Sequence, residues 1–172
     1  MHQTRSVRIN LSKFELSSEN RRILKKVEAI GLEPMTLPFA DYSWEIGKLA
    51  KDFYEKRNAD FSANKIKELM TVGINFTTLL KYADMGYAIC YMNKEILHYS
   101  YPFYDESKIS KDMGLGMMLK AILWAKEKGL KYIYLGSLQR PGDVYKLQFA
   151  GLEWFDEKKW SQDLEEVKKL LL

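Results

Sequence analysis

The sequence predicts a mixed α/β fold: an antiparallel meander leads into a βαβ unit, and helices cover both faces of one sheet. Three observations predict it. Residues 74–104 hold three strand-like runs, INFTTLLKYA, YAICYM and EILHYSYPFY, parted by the turn candidates DMG (84–86) and NK (93–94), and turns this short join antiparallel neighbours. Residues 113–128 place Leu115, Met118, Leu119, Ile122 and Leu123 at helical spacing and stop at Gly129, a natural residue just past a helix end. The run KYIYLG (131–136) then reads as a buried strand. Strand, helix and strand in such close order make a parallel crossover, which is right-handed.

The other elements follow in order. Val7, Ile9 and Leu11 alternate with Arg8 and Asn10, the period of a strand. Ser17 or Ser18 can cap a helix whose apolar stripe is Ile23, Leu24, Val27 and Ile30, with Gly31 as its stop. Residues 32–40 contain two prolines and read as a connection. A second helix is expected over about residues 42–57, with Ile46, Leu49, Ala50 and Phe53 on one face. Ser62 caps a short third helix that contains Ile66, Leu69 and Met70. Beyond the KYIYLG strand, QRPGD reads as a turn, DVYKLQFAG as a short helix and LEWFDEKKW as a last strand. Residues 162–172 read as a closing helix capped by Ser161.

Composition narrows the function classes. The 172 residues suit one domain, 1–172, with 47% hydrophobic and 29% charged residues, ordinary for a globular chain. No apolar run approaches the ~20 residues of a membrane-spanning helix, and the start MHQTRSVRIN lacks the apolar core of a signal peptide. A cytoplasmic protein without membrane or metal is expected. Cys90 is the lone cysteine and lies in a strand-like run, so it is expected in the core. Only His2 and His98 accompany it, too few for a Cys/His zinc site, and neither histidine sits beside a nucleophile motif. The net charge is +4, and the first 26 residues hold seven Lys and Arg against Glu15 and Glu19. Such a region can meet phosphates or form a solvated helix face.

The segment K-D-M-G-L-G, Lys111 to Gly116, carries the sharpest local signal. Glycine lets backbone approach closely, and a helix start offers unpaired N–H donors to an anion. Glycine there also serves close packing. With the element order, the segment resembles the acyl-CoA loop Q/R-x-x-G-x-G/A of the GNAT acyltransferases. Four further stretches resemble a narrower group, the C-terminal catalytic domain of the N-end-rule aminoacyl-tRNA–protein transferases (arginyl- and leucyl-transferases). FELSSENRRILKK is similar to that group's Phe-x-x-Ser-x-x-x-Arg-Arg-x-Leu signature, and YSYPFYDES to its Tyr-x-Phe-Phe/Tyr-Asp strand end. GLGMMLKAILWAKEKGLKYIYLG resembles its S-L-G helix and Tyr-Leu-Gly strand, and VYKLQFAGLEWFDEKKW its Tyr-Lys-x-x-Phe-x-Pro-Leu-Glu segment. The likeness covers about residues 5–160. The family's upstream cysteine region has no counterpart here, Met113 stands in place of serine, and Ala150-Gly151 stands where Arg-Pro or similar is usual.

The resemblance implies transfer of an amino acid from aminoacyl-tRNA to the N-terminal α-amine of a protein or peptide, by direct attack on the ester and without a cofactor. An α-amine of pKa ~7.7–8.0 is partly neutral at physiological pH, so no strong base is needed. Two alternatives stay open: an acetyl-CoA-dependent N-acetyltransferase, to which Lys111 and the G-L-G pair point equally, and a non-catalytic RNA-binding relative. Tyr145 and Lys146 are the catalytic candidates, because many GNAT enzymes place a proton-donating tyrosine on the short helix after the βαβ unit. Tyr145 would protonate the leaving ribose oxygen, Lys146 would offset the oxyanion or a phosphate, and Asp105 would orient the amine. Tyr104 ends the strand leading to the loop, where Lys111, Gly114, Leu115 and Gly116 would meet the acyl donor. Gln139 and Arg140 follow the carboxyl end of KYIYLG, where ligands of α/β sheets gather, and the Arg140 fork suits an acidic N-terminal residue or a phosphate. Arg21 and Arg22, about 100° apart on a helix, are candidates for tRNA phosphates. Plainer roles compete throughout: ring packing for Tyr145, a solvated Lys146, and a turn cap for Asp105.

Overall fold

A computed structural model describes residues 5–108 and 111–171. His2, two residues of the 105–112 loop and the last residue of the closing helix lie outside them. The first strand, β1 (Arg5–Asn10), buries Val7 and Ile9, as alternation requires, while Leu11 begins a 3-10 turn, Leu11–Lys13. Helix α1 (Ser18–Lys26) starts at Ser17 with a reciprocal cap: Asn20 N–H donates to Ser17 Oγ at 3.1 Å and Ser17 N–H to Asn20 Oδ1 at 3.2 Å. Residues 32–40 are not merely a connection. Leu32–Thr36 form β2, paired antiparallel with a later strand although Pro34 sits in its middle. A proline is tolerated there because β2 lies at the sheet edge.

Helices α2 (Trp44–Glu55) and α3 (Ala63–Thr71) follow; Ser62 caps α3 by accepting from Lys65 N–H at 3.2 Å. The meander is β3 (Thr78–Tyr82), β4 (Gly86–Met92) and β5 (Ile96–Tyr104), antiparallel as expected. Helix α4 (Met113–Glu127) crosses to β6 (Tyr132–Leu138), which pairs parallel with β5. The buried face of α4 is Met113, Gly116, Met117, Met118, Leu119, Ala121, Ile122 and Ala125. Leu115 and Leu123 are only half-buried, so the predicted stripe is rotated towards Met117 and Ala121. In β6 Ile133 and Leu135 are buried between half-buried neighbours, and the alternation slips at Gly136-Ser137 before the buried Leu138, so the strand has one covered face rather than two.

A 3-10 helix over Pro141–Gln148 follows β6. The expected last strand is a hairpin instead, β7 (Leu152–Phe155) with β8 (Trp160–Ser161). Asp156 makes its turn by accepting from the N–H groups of Lys158 and Lys159. Helix α5 (Leu164–Leu171) closes the described chain. Its cap is Asp163, whose carboxylate accepts from Glu166 N–H at 2.9 Å, while Ser161 Oγ accepts only from Asp163 N–H.

The eight strands form one sheet in the order β2-β3-β4-β5-β6-β1-β7-β8, with β5/β6 the parallel pair. One face packs a core shared by α1, α4 and α5 (Val7, Ile9, Val27, Leu119, Ile133, Val167), and it includes the buried Cys90. The opposite face of β3–β5 packs Ile46, Ala50 and Phe53 of α2 and Ile66 and Met70 of α3. On the far half of the sheet, Arg8 bridges strands. Its Nε donates to Glu153 Oε2 at 2.8 Å, and its guanidinium lies 3.8 Å from the Tyr132 ring and 3.9 Å from the Trp160 ring. Arg8 therefore serves the sheet rather than the basic surface that its place in the sequence implied.

Two bulges place the site. Parallel pairing of β5 with β6 ends at His98↔Tyr134, yet β5 runs on to Tyr104 and β6 to Leu138. Just past that pair, Ser100 is the extra residue of β5 opposite Ile89 and Cys90. At the same level β6 sets Leu135-Gly136 against Val7 of β1, with Gly136 at φ +79°, a bulge of the kind that needs glycine. The bulges turn both strands, and a cleft opens between them.

Candidate active site at the parted strands

The 3-10 helix brings Lys146 back against the end of β6. Its side chain is 10% exposed, and Nζ donates to the Ser137 carbonyl at 2.8 Å and lies 3.7 Å from Asp143 Oδ1. Nζ also sits 4.0 Å from where a Cβ on Gly136 would stand. Burial lowers the Lys146 pKa, and Asp143 opposes the drop. A half-compensated buried amine at a strand end is a marked site for chemistry.

Tyr145 precedes it. The residue is 42% exposed, yet the surroundings of the phenol push its pKa up to about 12, mainly by desolvation, with Asp143 and Tyr104 adding to the rise. It keeps its proton at neutral pH. Tyr99, on β5 at the bulge, is 3% exposed, and its hydroxyl stands beside that of Tyr82 without a hydrogen bond of ordinary length. Burial raises its pKa first, and Tyr145 is among the groups that raise it further. A buried hydroxyl short of such a bond is costly in a native core.

Tyr104 leans over the start of α4: a Cβ on Gly114 would lie 3.1 Å from the Tyr104 hydroxyl. Gln139 Nε2 donates to Ser137 Oγ at 2.8 Å. Asp143 organises the connection, since its Oδ2 accepts from the N–H groups of Gln139 (2.8 Å) and Arg140 (3.0 Å) while Oδ1 faces Lys146. The structure thus gathers Tyr145, Lys146, Tyr104, Gly114 and Gln139 around the cleft. Arg140 stands at its rim, exposed.

The other expected residues are occupied elsewhere. Gly116 faces α1: an added Cβ would lie 2.6 Å and 2.9 Å from the two methyls of Val27, and its N–H already donates to the Asp112 carbonyl at 2.8 Å. Met113 is fully buried, which explains why a large apolar residue replaces serine. Asp112, at the start of α4, is ion-paired with Lys26 and lies 3.7 Å from Arg22; Lys26 foremost holds its pKa down. Arg22 also pairs with Glu19, and Arg21 donates to the Leu16 carbonyl at 2.7 Å. Leu115 packs against the core from a half-buried position, and Lys111 is exposed. Asp105 makes a turn: its Oδ1 accepts from Ser107 Oγ (2.6 Å) and Ser107 N–H (3.0 Å), bonds that lower its pKa.

Gly151, noted above for standing where Arg-Pro is usual, has φ +77°, and a Cβ there would lie 2.8 Å from the Asn10 carbonyl. Proline, fixed near φ −65°, cannot take that conformation.

Beside Tyr104 and Asp105 a cavity of about 730 Å³ opens between α2 and the β3–β4 turn, with Phe39, Phe53 and Tyr87 among its apolar walls. Sequence reasoning did not reach it, nor Asp143, Ser137 and Tyr99. An acid in the first turn after QRPG was a signal that could have singled out Asp143 as a cap; nothing in the sequence marked the buried hydroxyl of Tyr99. Among the described residues no group of three or more His, Cys, Asp and Glu is placed to hold a metal ion, and no helix is long and apolar enough to cross a membrane.

Solved structures share this fold. Over 87% of its length the chain superposes on the C-terminal domain (DUF2156) assigned to a lysylphosphatidylglycerol synthetase of Agrobacterium fabrum, with TM-score 0.61, 12% identity and 51% of that chain covered. It also superposes over 88% of its length on the GCN5-related glucosamine N-acetyltransferase region of a fungal multi-domain GH3 beta-N-acetylglucosaminidase, with TM-score 0.57, 11% identity and 20% of that chain covered. The fold is that of the GNAT acyltransferases. No family model matches the chain. Its sequence relatives are distant and carry one name, aspartate/glutamate leucyltransferase. That of Ruegeria pomeroyi is 28% identical over 170 residues, 90% of this chain and 60% of its own length. That of Stenotrophomonas maltophilia K279a is 31% identical over 78 residues, 44% of this chain and 31% of its own. The chain spans less than two thirds of the length of these curated relatives.

Proposed function

We propose that this chain is the acyl-transferring part of an aminoacyl-tRNA–protein transferase, corresponding to the C-terminal domain of that family and acting in the cytoplasm. The observation that carries the reading is the likeness to an aspartate/glutamate leucyltransferase over 90% of the chain, which spans both strands of the cleft. The donor would be a leucyl-tRNA and the acceptor a polypeptide beginning with Asp or Glu.

The α-amine attacks the ester carbonyl carbon, an N–C bond forms, and the C–O bond to the ribose breaks. Lys146 supplies positive charge to the oxyanion from a water-poor position, where such charge acts most strongly. Tyr145, still protonated, gives its proton to the departing ribose oxygen, and the proton that the amine loses returns through solvent to the Tyr145 oxygen. No covalent intermediate is needed. In this reading Gln139 and Arg140 would read an acidic first side chain and the exposed Lys111 would meet tRNA phosphate, while Arg21 and Arg22 would have to give up contacts with Leu16 and Glu19 to do so.

The acetyl-CoA reading has less support. A pyrophosphate at the start of α4 would face the Asp112 carboxylate, and Gly116 is turned towards Val27, so these residues fit the coenzyme poorly. The test offers labelled leucyl-tRNA and labelled acetyl-CoA in parallel to peptides with different first residues. Label is expected from leucyl-tRNA, on peptides opening with Asp or Glu. Label from acetyl-CoA alone would overturn the proposal.

A further inference from the structure

The cavity between α2 and the β3–β4 turn is separate from the cleft but shares a wall with it. Tyr104 lines the cavity, and its hydroxyl covers Gly114 at the start of α4. A chain lying in the cavity would therefore reach the cleft by passing this ring. At about 730 Å³ the space suits a short peptide better than one side chain, since ligand pockets run from about 300 to 1,000 Å³.

Its charge is uneven. Each lysine on its wall already faces a carboxylate: Lys48 with Asp52 (2.5 Å), Lys56 with Glu106 (3.1 Å), Lys81 with Asp84 (3.3 Å) and Lys108 with Asp105 (3.5 Å). Asp41 and Glu45, also on the wall, have no basic partner among the described residues. The Glu45 carboxylate is held by Ser43 and by its own backbone at the start of α2, and these bonds lower its pKa, so it is ionised at neutral pH. Trp44 lies between them, 70% exposed. An apolar floor, two unpaired carboxylates and an exposed indole together make a surface for apolar and cationic side chains.

We infer that this cavity seats the second to fourth residues of the acceptor polypeptide and selects basic over acidic side chains there, while the first residue passes Tyr104 into the cleft. This rests on the transferase reading for the direction of the peptide.

Trp44 reports on the cavity directly. The intact protein is titrated with a peptide opening Asp-Leu-Lys and with its counterpart opening Asp-Leu-Glu, following tryptophan fluorescence and subtracting the Trp44→Phe variant. The lysine peptide is expected to bind about three- to tenfold more tightly, the scale of exposed charge pairs. Asp41→Asn with Glu45→Gln should erase that preference, and Asp41→Lys with Glu45→Lys should reverse it. Equal affinities that neither pair of substitutions changes would overturn the inference, as would an unchanged Trp44 signal while peptide transfer proceeds. The preference persisting in a protein that transfers nothing from any aminoacyl-tRNA would keep the cavity assignment and remove the transferase reading.

Discussion

The two ends of the α4 crossover both supplied candidates from the sequence, yet they differ in what their residues do. At the start of α4 the interactions are internal: Gly116 admits Val27, Gly114 admits Tyr104, and Asp112 is clasped by Lys26 and Arg22. At the carboxyl end of β6 they are incomplete. Lys146 is buried with one carbonyl and a distant carboxylate. Glycines at a helix start thus mark where the chain approaches itself, and unbalanced titratable groups mark where it awaits something else.

The largest expected effect tests the β6 end. Lys146→Met should lower transfer about 10²- to 10³-fold, the usual cost of removing a preorganised donor to an oxyanion, while thermal stability holds or rises because a desolvated amine is gone. The pH dependence has a definite sign. Burial lowers this pKa, so between the lowered value and the ordinary ~10.4 the unfolded chain binds the proton and the folded chain does not. Stability from Lys146 therefore rises with pH through that window, is flat below it, and should lose this rise in Lys146→Met. Melting curves at several pH values, beside turnover assays, check both statements.

An intermediate effect tests the α4 end. At an open helical position Gly→Ala gains up to ~1 kcal/mol, but a Cβ on Gly116 would lie 2.6 Å from a methyl of Val27, a stiff, fully packed side chain. Gly116→Ala should therefore destabilise by about 1–3 kcal/mol, and adding Val27→Ala should recover much of it, as a double-mutant cycle by denaturant unfolding would show. Failure of the second substitution to help would return Gly116 to a ligand-facing role. The smallest effect is Asp112→Asn, expected to shift Tm by less than about 4 °C because exposed ion pairs contribute little. If that carboxylate guards the helix start, the same variant should bind acetyl-CoA more tightly by isothermal titration.

Much of this was legible from residues 74–136, where strand alternation, two turns and one helical stripe gave the meander and the crossover. What escaped had physical reasons. Residues 32–36 pair as a strand despite Pro34, because only the inner edge of β2 must bond. The bulges at Ser100 and Leu135-Gly136 leave no trace in composition, yet they open the cleft. Tyr145 and Lys146 came from the family likeness and meet at the cleft. Arg21, Arg22 and Gly116 came with them and make contacts within the chain, which similarity of sequence does not distinguish from contacts to a ligand. Asp143 was missed because a capping acid looks the same whether or not a lysine stands behind it.

The sheet edges carry a last consequence. Docking proteins often take up peptides by letting them join a free strand, with backbone ladders supplying affinity whatever the sequence. Here one outer strand is interrupted by Pro34 and the other, Trp160–Ser161, is only two residues long, which also protects the fold from pairing with other chains. Neither border offers a ladder of useful length. A polypeptide could join this sheet by its backbone only at the inner edges of β5 and β6, past His98↔Tyr134 where their pairing ends, so any such pairing would be confined to the candidate site.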